Sequence, residues 1–242
     1  MPQNSGMLSL TPIVGYNTFT TRSGFNYYVP QFRAIGSDVQ NINDIQLDSQ
    51  VGDMGANLQL LAAGGTSAAY YNWLTAASSK DFGYTDGSKG CWVDEDLALV
   101  DDVELAIGAG VQIDIDDADM GITNAGQVSD DDVTFTTRSG FNYVGNAFPT
   151  GVDVNAVQLS STVGDMGANL QILAAGGTSA AYYNWLSAAS AKDFGYTDGT
   201  VGCWVDEDLA KIEGVTLEAG AAFQIDIDDA NETVTVLSPI EL

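Results

Sequence analysis

The stretch Val51–Ala98 occurs a second time, nearly unchanged, as Val163–Ala210. Only five positions differ: Leu60/Ile172, Thr75/Ser187, Ser79/Ala191, Ser88/Thr200 and Lys89/Val201. Such identity marks a duplicated unit, and a duplication limits the fold more than any other feature of the chain. A second match, TFTTRSGFNY, opens each copy at Thr18 and at Thr134. The offset between copies is 116 there and 112 by Val51/Val163, so repeat one carries four extra residues. They fall within PQFRAIGSDVQNIN, against NAFPTGVDVN in repeat two. Insertions of that size belong in loops, and a loop between two strands is expected there.

A chain of 242 residues has room for two bodies of about 110 residues, each able to bury a core. The expected division is a lead-in over 1–17, a first domain over 18–128 and a second over 129–242. The polar interval DADMGITNAGQVSDDDV marks the boundary.

Local pattern predicts an all-β protein of two tandem, near-identical β-sandwich or β-barrel domains. DIQLDS and AVQLSS alternate apolar and polar residues, the period of a half-buried strand. NLQLLAA and AAYYNWL, separated by AGGTS, read as a hairpin. CWVDEDLA and VELAIGAGVQIDID supply later strands, with GAG and GAA as bends. AASSKDFGYTDGSKG reads as loop. The Ala-rich SAAYYNWLTAASS has a competing reading as a helix of about three turns; Tyr-Tyr-Asn-Trp and the flanking glycines favour strand.

Charge narrows the function. Asp and Glu total 33 against 7 Lys and Arg, for a net charge of −26. Too few cations exist to neutralise a phosphate backbone, which excludes a general nucleic-acid binder. Docking on an anionic membrane is disfavoured for the same reason. No run of 18 apolar residues is present, so no membrane insertion is expected. MPQNSGMLSL lacks the basic and long apolar regions of an ordinary secretory signal. The balance favours an extracellular or salty setting, with divalent cations as companions.

GFNYVGNAFP, the apolar strand pair, CWVDEDLA and VTLEAGAAFQI, in that order, resemble the tandem β-repeat domains of secreted bacterial surface proteins. Gly140, Phe141, Asn142, Asn146 and Phe148 match the opening of that repeat; Trp204, Asp206, Leu217 and Gly220 match its close. Repeat one departs, with Pro30 where Asn146 stands, and Cys replaces the usual Gly before Trp. The resemblance implies an extracellular or cell-surface location and a structural or adhesive use.

Residues able to carry chemistry are few. There is no histidine, so Cys91 and Cys203 have no base to activate them. One cysteine per repeat allows no disulfide within a repeat. Two readings stand for them: buried small hydrophobes beside Trp92 and Trp204, or a bridge between domains or subunits. DIDDAD and DIDDAN place Asp114, Asp116 and Asp117, and Asp226, Asp228 and Asp229, at a spacing that calcium could use. The other reading is a solvated strand edge whose charge discourages aggregation. Asp94–Asp96 and Asp206–Asp208 form a second acid cluster, but nothing separates one carboxylate's role from another's, and no enzyme is expected. Tyr70, Tyr71 and Trp73, with Tyr182, Tyr183 and Trp185, read as core, or as a stacking platform for glycan.

The lead-in has no counterpart of similar composition before repeat two. Met7, Leu8, Leu10, Ile13, Val14 and Tyr16 make an apolar segment that must pair to be safe. It can fold back on domain 1, or add to a sheet edge of a neighbouring copy. The expectation is therefore a non-enzymatic protein, without a cofactor unless calcium is bound, that assembles with copies of itself into a filament, sheath or layer. The alternative is a surface adhesin or carbohydrate-binding module.

Overall fold

The computed structural model describes residues 14–37, 39–61, 69–117, 119–173, 179–229 and 231–239. Strand accounts for 45 % and helix for 9 %, and the sheets are small, antiparallel and set in a propeller-like arrangement of four blades. The all-β expectation holds.

The period-2 segments become short strands. In the first half these are β1 (Val14–Thr20), β2 (Gly24–Tyr28), β3 (Phe32–Arg33), β4 (Val39–Asn41), β5 (Gln46–Leu47), β6 (Ala56–Leu60), β7 (Tyr70–Leu74), β8 (Cys91–Val93), β9 (Glu104–Ala106), β10 (Val111–Ile115) and β11 (Gly121–Val128). The second half holds β12 (Val133–Thr136), β13 (Gly140–Gly145), β14 (Val152–Asp153), β15 (Val157–Leu159), β16 (Ala168–Leu173), β17 (Ser179–Leu186), β18 (Cys203–Val205), β19 (Thr216–Leu217), β20 (Ala222–Ile227) and β21 (Thr233–Val236). Strand order repeats between halves. β2-β10-β6-β7-β8 is matched by β13-β20-β16-β17-β18, β4-β9 by β14-β19, and β1-β11-β5 by β12-β21-β15.

The four extra residues of repeat one fall between Phe32 and Gln40, where a loop joins β3 to β4. β3, just before them, pairs Phe32 with Val128 and Arg33 with Gln127 at the end of β11. Phe32 is fully buried, which supplies the apolar reason for the strand. Sequence pattern missed it because two residues carry no period.

Each half buries one apolar cluster that both of its larger sheets share. In the first half, Ile122 of β11 meets Leu58, Trp92, Ile113 and Ile115 of the five-stranded sheet. In the second, Val234 and Val236 meet Leu170, Trp204, Ile225 and Ile227. The tryptophans tie the layers together. Trp92 Nε1 donates to the Ile45 carbonyl at 3.0 Å, and Trp204 Nε1 to the Val157 carbonyl at 2.8 Å. Each stacks edge-on against a second tryptophan, Trp73 or Trp185, with ring centroids 5.1 Å apart. Gly90 and Gly202 make room for that pair: an added Cβ at either would lie 2.3 Å from the ring of Trp73 or Trp185.

The halves meet along a seam with its own symmetry. Val29 N donates to Gly220 O at 3.1 Å, and Gly145 N donates to Gly108 O at 3.1 Å. Tyr28 bridges Ala221, and Ala109 bridges Val144. By the repeat offsets, Val29 corresponds to Gly145 and Gly108 to Gly220, so each bond is the mirror of the other under exchange of halves. That is an isologous contact about a pseudo-two-fold axis, and such a contact closes on itself rather than propagating.

Among the described residues, one α-helix per half interrupts the strands: α1 (Ala76–Asp81) and α2 (Ala188–Asp193). Over AASSKD this corrects the loop expected for AASSKDFGYTDGSKG. Thr75 and Ser187 are N-caps that accept from Ser78 N and Ser190 N. Asp53 and Asp165 add a second anchor from the GDMGAN turn, accepting from Thr75 N at 2.7 Å and Ser187 N at 2.8 Å. Ser190 Oγ also donates to Asp165. Burial pushes Asp53 up, but bonds from Ser78 and Thr75 outweigh it and hold its carboxyl below the ordinary range. Bonds from Ser190 and Ser187 lower Asp165 against a smaller effect of burial. Depressed carboxyls contribute stability that is present above their ordinary pKa and lost as pH falls through the depressed value.

Behind each helix lies a buried thiol. Cys91 and Cys203 are free and buried, packed as small hydrophobes against Leu74 and Val93 and against Leu186 and Val205. Burial raises both thiols, against a lowering by Ser79 and Lys89 at Cys91 and by Lys211 at Cys203. Ser79 Oγ lies 3.0 Å from Cys91 Sγ, whereas its counterpart in the other half is Ala191. Cys91→Ser therefore keeps a hydroxyl partner that Cys203→Ser lacks. Urea denaturation should show Cys203→Ser destabilising by about 1 kcal/mol more than Cys91→Ser.

Candidate functional site

The lead-in residues separate into two groups. Met7, Leu8, Leu10 and Ile13 lie outside the described residues. Val14 and Tyr16 lie in β1, which pairs with β11 of the same half from Val14↔Gln127 to Thr20↔Gly121. The corresponding strand of repeat two, β12, begins at Val133, the counterpart of Asn17. β1 is thus longer than its twin by Val14, Gly15 and Tyr16. Gly15 packs beneath Phe32, which lies 3.1 Å from where its Cβ would sit. The side chains on either side turn outward, Tyr16 at 78 % and Val14 at 59 % exposure. β1 ends the strand order of its sheet, so an apolar ridge runs along a sheet edge.

The acidic residues sit apart from one another. Asp114 and Asp226 lie mid-strand, opposite Phe25 and Asn57 in one half and Phe141 and Asn169 in the other. Asp116 and Asp117, with Asp228 and Asp229, occupy the turns that follow. Asp116 N donates to Gly55 O and Asp228 N to Gly167 O, at 3.1 and 3.2 Å. Among the described residues, no three His, Cys, Asp or Glu side chains gather where a cation could sit. A chelator is therefore expected to leave the melting temperature unchanged. A drop on chelation would reveal a bound ion, because a ligand of the folded state stabilises it.

Asp94 and Asp206 have a local task. Asp94 Oδ1 accepts from Asp96 N at 3.0 Å and Ala98 N at 2.8 Å, and Asp206 repeats the pattern. These are turn contacts that support Leu97 and Leu209 at φ 63°, in the left-handed region.

Two equivalent grooves open beside α1 and α2, near Trp73 and Trp185. The second has a volume of about 820 Å³ and the first about 270 Å³. Three of the five repeat differences line them: Thr75/Ser187, Ser88/Thr200 and Lys89/Val201. Lys89 lies 4.0 Å from Asp44 at the first rim, and Val201 leaves the second rim apolar.

The aromatic group read as core, or as a stacking platform, is split by strand alternation. Tyr71, Trp73, Tyr183 and Trp185 are buried, while Tyr70 and Tyr182 face out at 60 % and 59 %. Sequence reading gave no structural role to two asparagine pairs, Asn26 with Asn142 and Asn43 with Asn155, of which Asn155 alone is half-buried and the others buried. Asn26 and Asn142 each bridge the backbone of the turn before their strand, with Oδ1 accepting from Arg22 N and Arg138 N at 2.9 Å. Asn43 accepts from Trp92 N at 2.7 Å, and Asn155 from Trp204 N at 3.0 Å. Spacing gives no signal for such hubs; only duplication of FNY and of Asn before the strand could have suggested them.

Among the described residues, no helix is long and apolar enough to cross a membrane. Comparison with protein-family models, with curated proteins and with solved structures finds no match to this chain.

Proposed function

We infer that this chain is a non-enzymatic structural protein that assembles with copies of itself into a filament, sheath or layer outside the cell. Two tandem domains, 18–128 and 129–242, form its body, each a β-sandwich on one shared core, with the lead-in 1–17 as connector. The observation that carries the reading is β1, an apolar edge strand without a full counterpart in the other half. An exposed edge of this kind templates strand addition, in which main-chain hydrogen bonds give affinity and side-chain pockets give specificity.

The internal seam cannot drive growth, because a two-fold contact is used up once made. Growth needs a head-to-tail contact, and the lead-in of one copy adding to a sheet edge of the next supplies one. A charge of −26 opposes approach at low salt, so assembly is favoured as ionic strength shortens the reach of repulsion. Deletion of residues 1–13 removes the apolar segment and leaves β1. The truncated chain is expected to keep its fold by circular dichroism and to lose polymerisation; identical polymers from it would remove the lead-in as connector.

A further inference from the structure

The outward face of the five-stranded sheets has a composition that polymer formation does not use. Across the first sheet, register aligns Tyr70 with Gln59, Gln59 with Gln112, and Gln112 with Tyr27. The second sheet repeats the row as Tyr182, Gln171, Gln224 and Tyr143, with Gln171 more deeply covered than its counterpart Gln59. Next to it runs a second row, in which Asn72, Asn57 and Asp114 lead to Phe25. The residues between these positions, Tyr71, Leu58, Ile113 and Asn26, are the buried ones. Both rows therefore share the face turned away from the core.

We propose that these faces form a platform for a neutral, extended polysaccharide. The chemistry is selective. Amides and phenols offer donors and acceptors together, as the hydroxyls of a sugar require. Tyr70 and Phe25, with Tyr182 and Phe141, flank the amides as exposed rings at the ends of the rows, where they can stack on the apolar face of a pyranose. Charge is nearly absent: in a chain with 33 acids, each face keeps one carboxylate in these rows, Asp114 or Asp226. Anionic polysaccharides and nucleic acids are repelled by the net charge of the molecule. An apolar protein surface would offer the amides of Gln59 and Gln112 no donor or acceptor in exchange for water, at a desolvation penalty.

Geometry suits an extended chain. Strands step by about 4.8 Å, so a four-strand row spans roughly 14 Å of fixed positions. That step is close to the rise of one ring in a ribbon-like polysaccharide. The rows stand on paired strands, which lowers the ordering cost of binding. At the seam Gly110, next to β10, donates its N–H to the Tyr143 carbonyl at 3.1 Å, and Gln224 Nε2 donates to Tyr143 Oη at 3.4 Å. The two faces thus adjoin, and the pseudo-two-fold axis doubles the site.

The test is affinity electrophoresis of the full chain at low salt, where repulsion keeps copies dispersed and the result is independent of polymerisation. Gels would carry hydroxyethylcellulose, dextran or alginate. Hydroxyethylcellulose is expected to retard the protein and alginate is not. Tyr70→Ala with Tyr182→Ala should weaken retardation at least tenfold, and the matching Phe variants should lose less. Gln112→Ala with Gln224→Ala gives a second variant in case the tyrosine pair perturbs folding. Absence of retardation in both neutral gels, retardation by alginate alone, or unchanged retardation of folded variants would each overturn the proposal.

Discussion

Gly145→Val is expected to crowd β20 of its own half and to press on Val29 across the seam, and Val29→Gly in the same chain is expected to recover part of the loss. An added Cβ at Gly145 would lie 2.4 Å from Ala221 O, 2.7 Å from Val29 Cγ1 and 2.9 Å from Ala222 Cα. Two of those atoms are backbone and cannot rotate away. Overpacking of this kind costs about 1–3 kcal/mol, and the backbone contacts place it at the upper end. By repeat offset, Val29 and Gly145 are the same position in the two copies, and they face each other across the axis. A large side chain on one side meets none on the other. Self-pairing of first halves would set valine against valine, so the seam prefers unlike halves. A double-mutant cycle read by urea denaturation should show a coupling of about 1 kcal/mol, with recovery incomplete because Ala221 O remains. Strictly additive effects would mean that the two residues do not meet.

Trp204→Ala should cost about 3–5 kcal/mol, the range for removing a buried aromatic. Three losses combine there: a fully buried side chain, the bond from Nε1 to Val157 O, and the edge-on contact with Trp185. Val157 belongs to the three-stranded sheet and Trp204 to the five-stranded one, so the change loosens the layers from each other. For a chain of this length, the melting temperature falls by on the order of 10 °C. Trp204→Phe retains ring packing but strands the Val157 carbonyl, and should fall between the variant and the parent. A loss under 1 kcal/mol for Trp204→Ala would show that the tie between layers lies elsewhere.

What could be read in the sequence follows from where period is strong. VQIDI and ANLQL alternate cleanly, and each becomes a strand with Ile113 and Leu58 inside. The hairpin of NLQLLAA and AAYYNWL appears as the antiparallel pair β6 and β7. Short elements escaped for the opposite reason. AASSKD holds one turn and a half of helix, too short for an apolar stripe, and its signal was the cap Thr75 with Asp53 distant in sequence. β3 escaped because Phe32 alone anchors it. Tyr70 and Tyr71 looked alike as residues, and only register assigns one to the outer row and the other to the core. The seam was invisible, because the pairing of Val29 with Gly220 depends on how the two copies dock and not on local pattern.

Assembly is the central claim, and negative-stain electron microscopy of the concentrated chain addresses it directly. At raised salt the full chain is expected to form regular polymers of constant width, and the chain lacking residues 1–13 is expected to remain as dispersed, folded particles. Dispersed particles from the full chain at every salt concentration, or the same polymers from both chains, would contradict it.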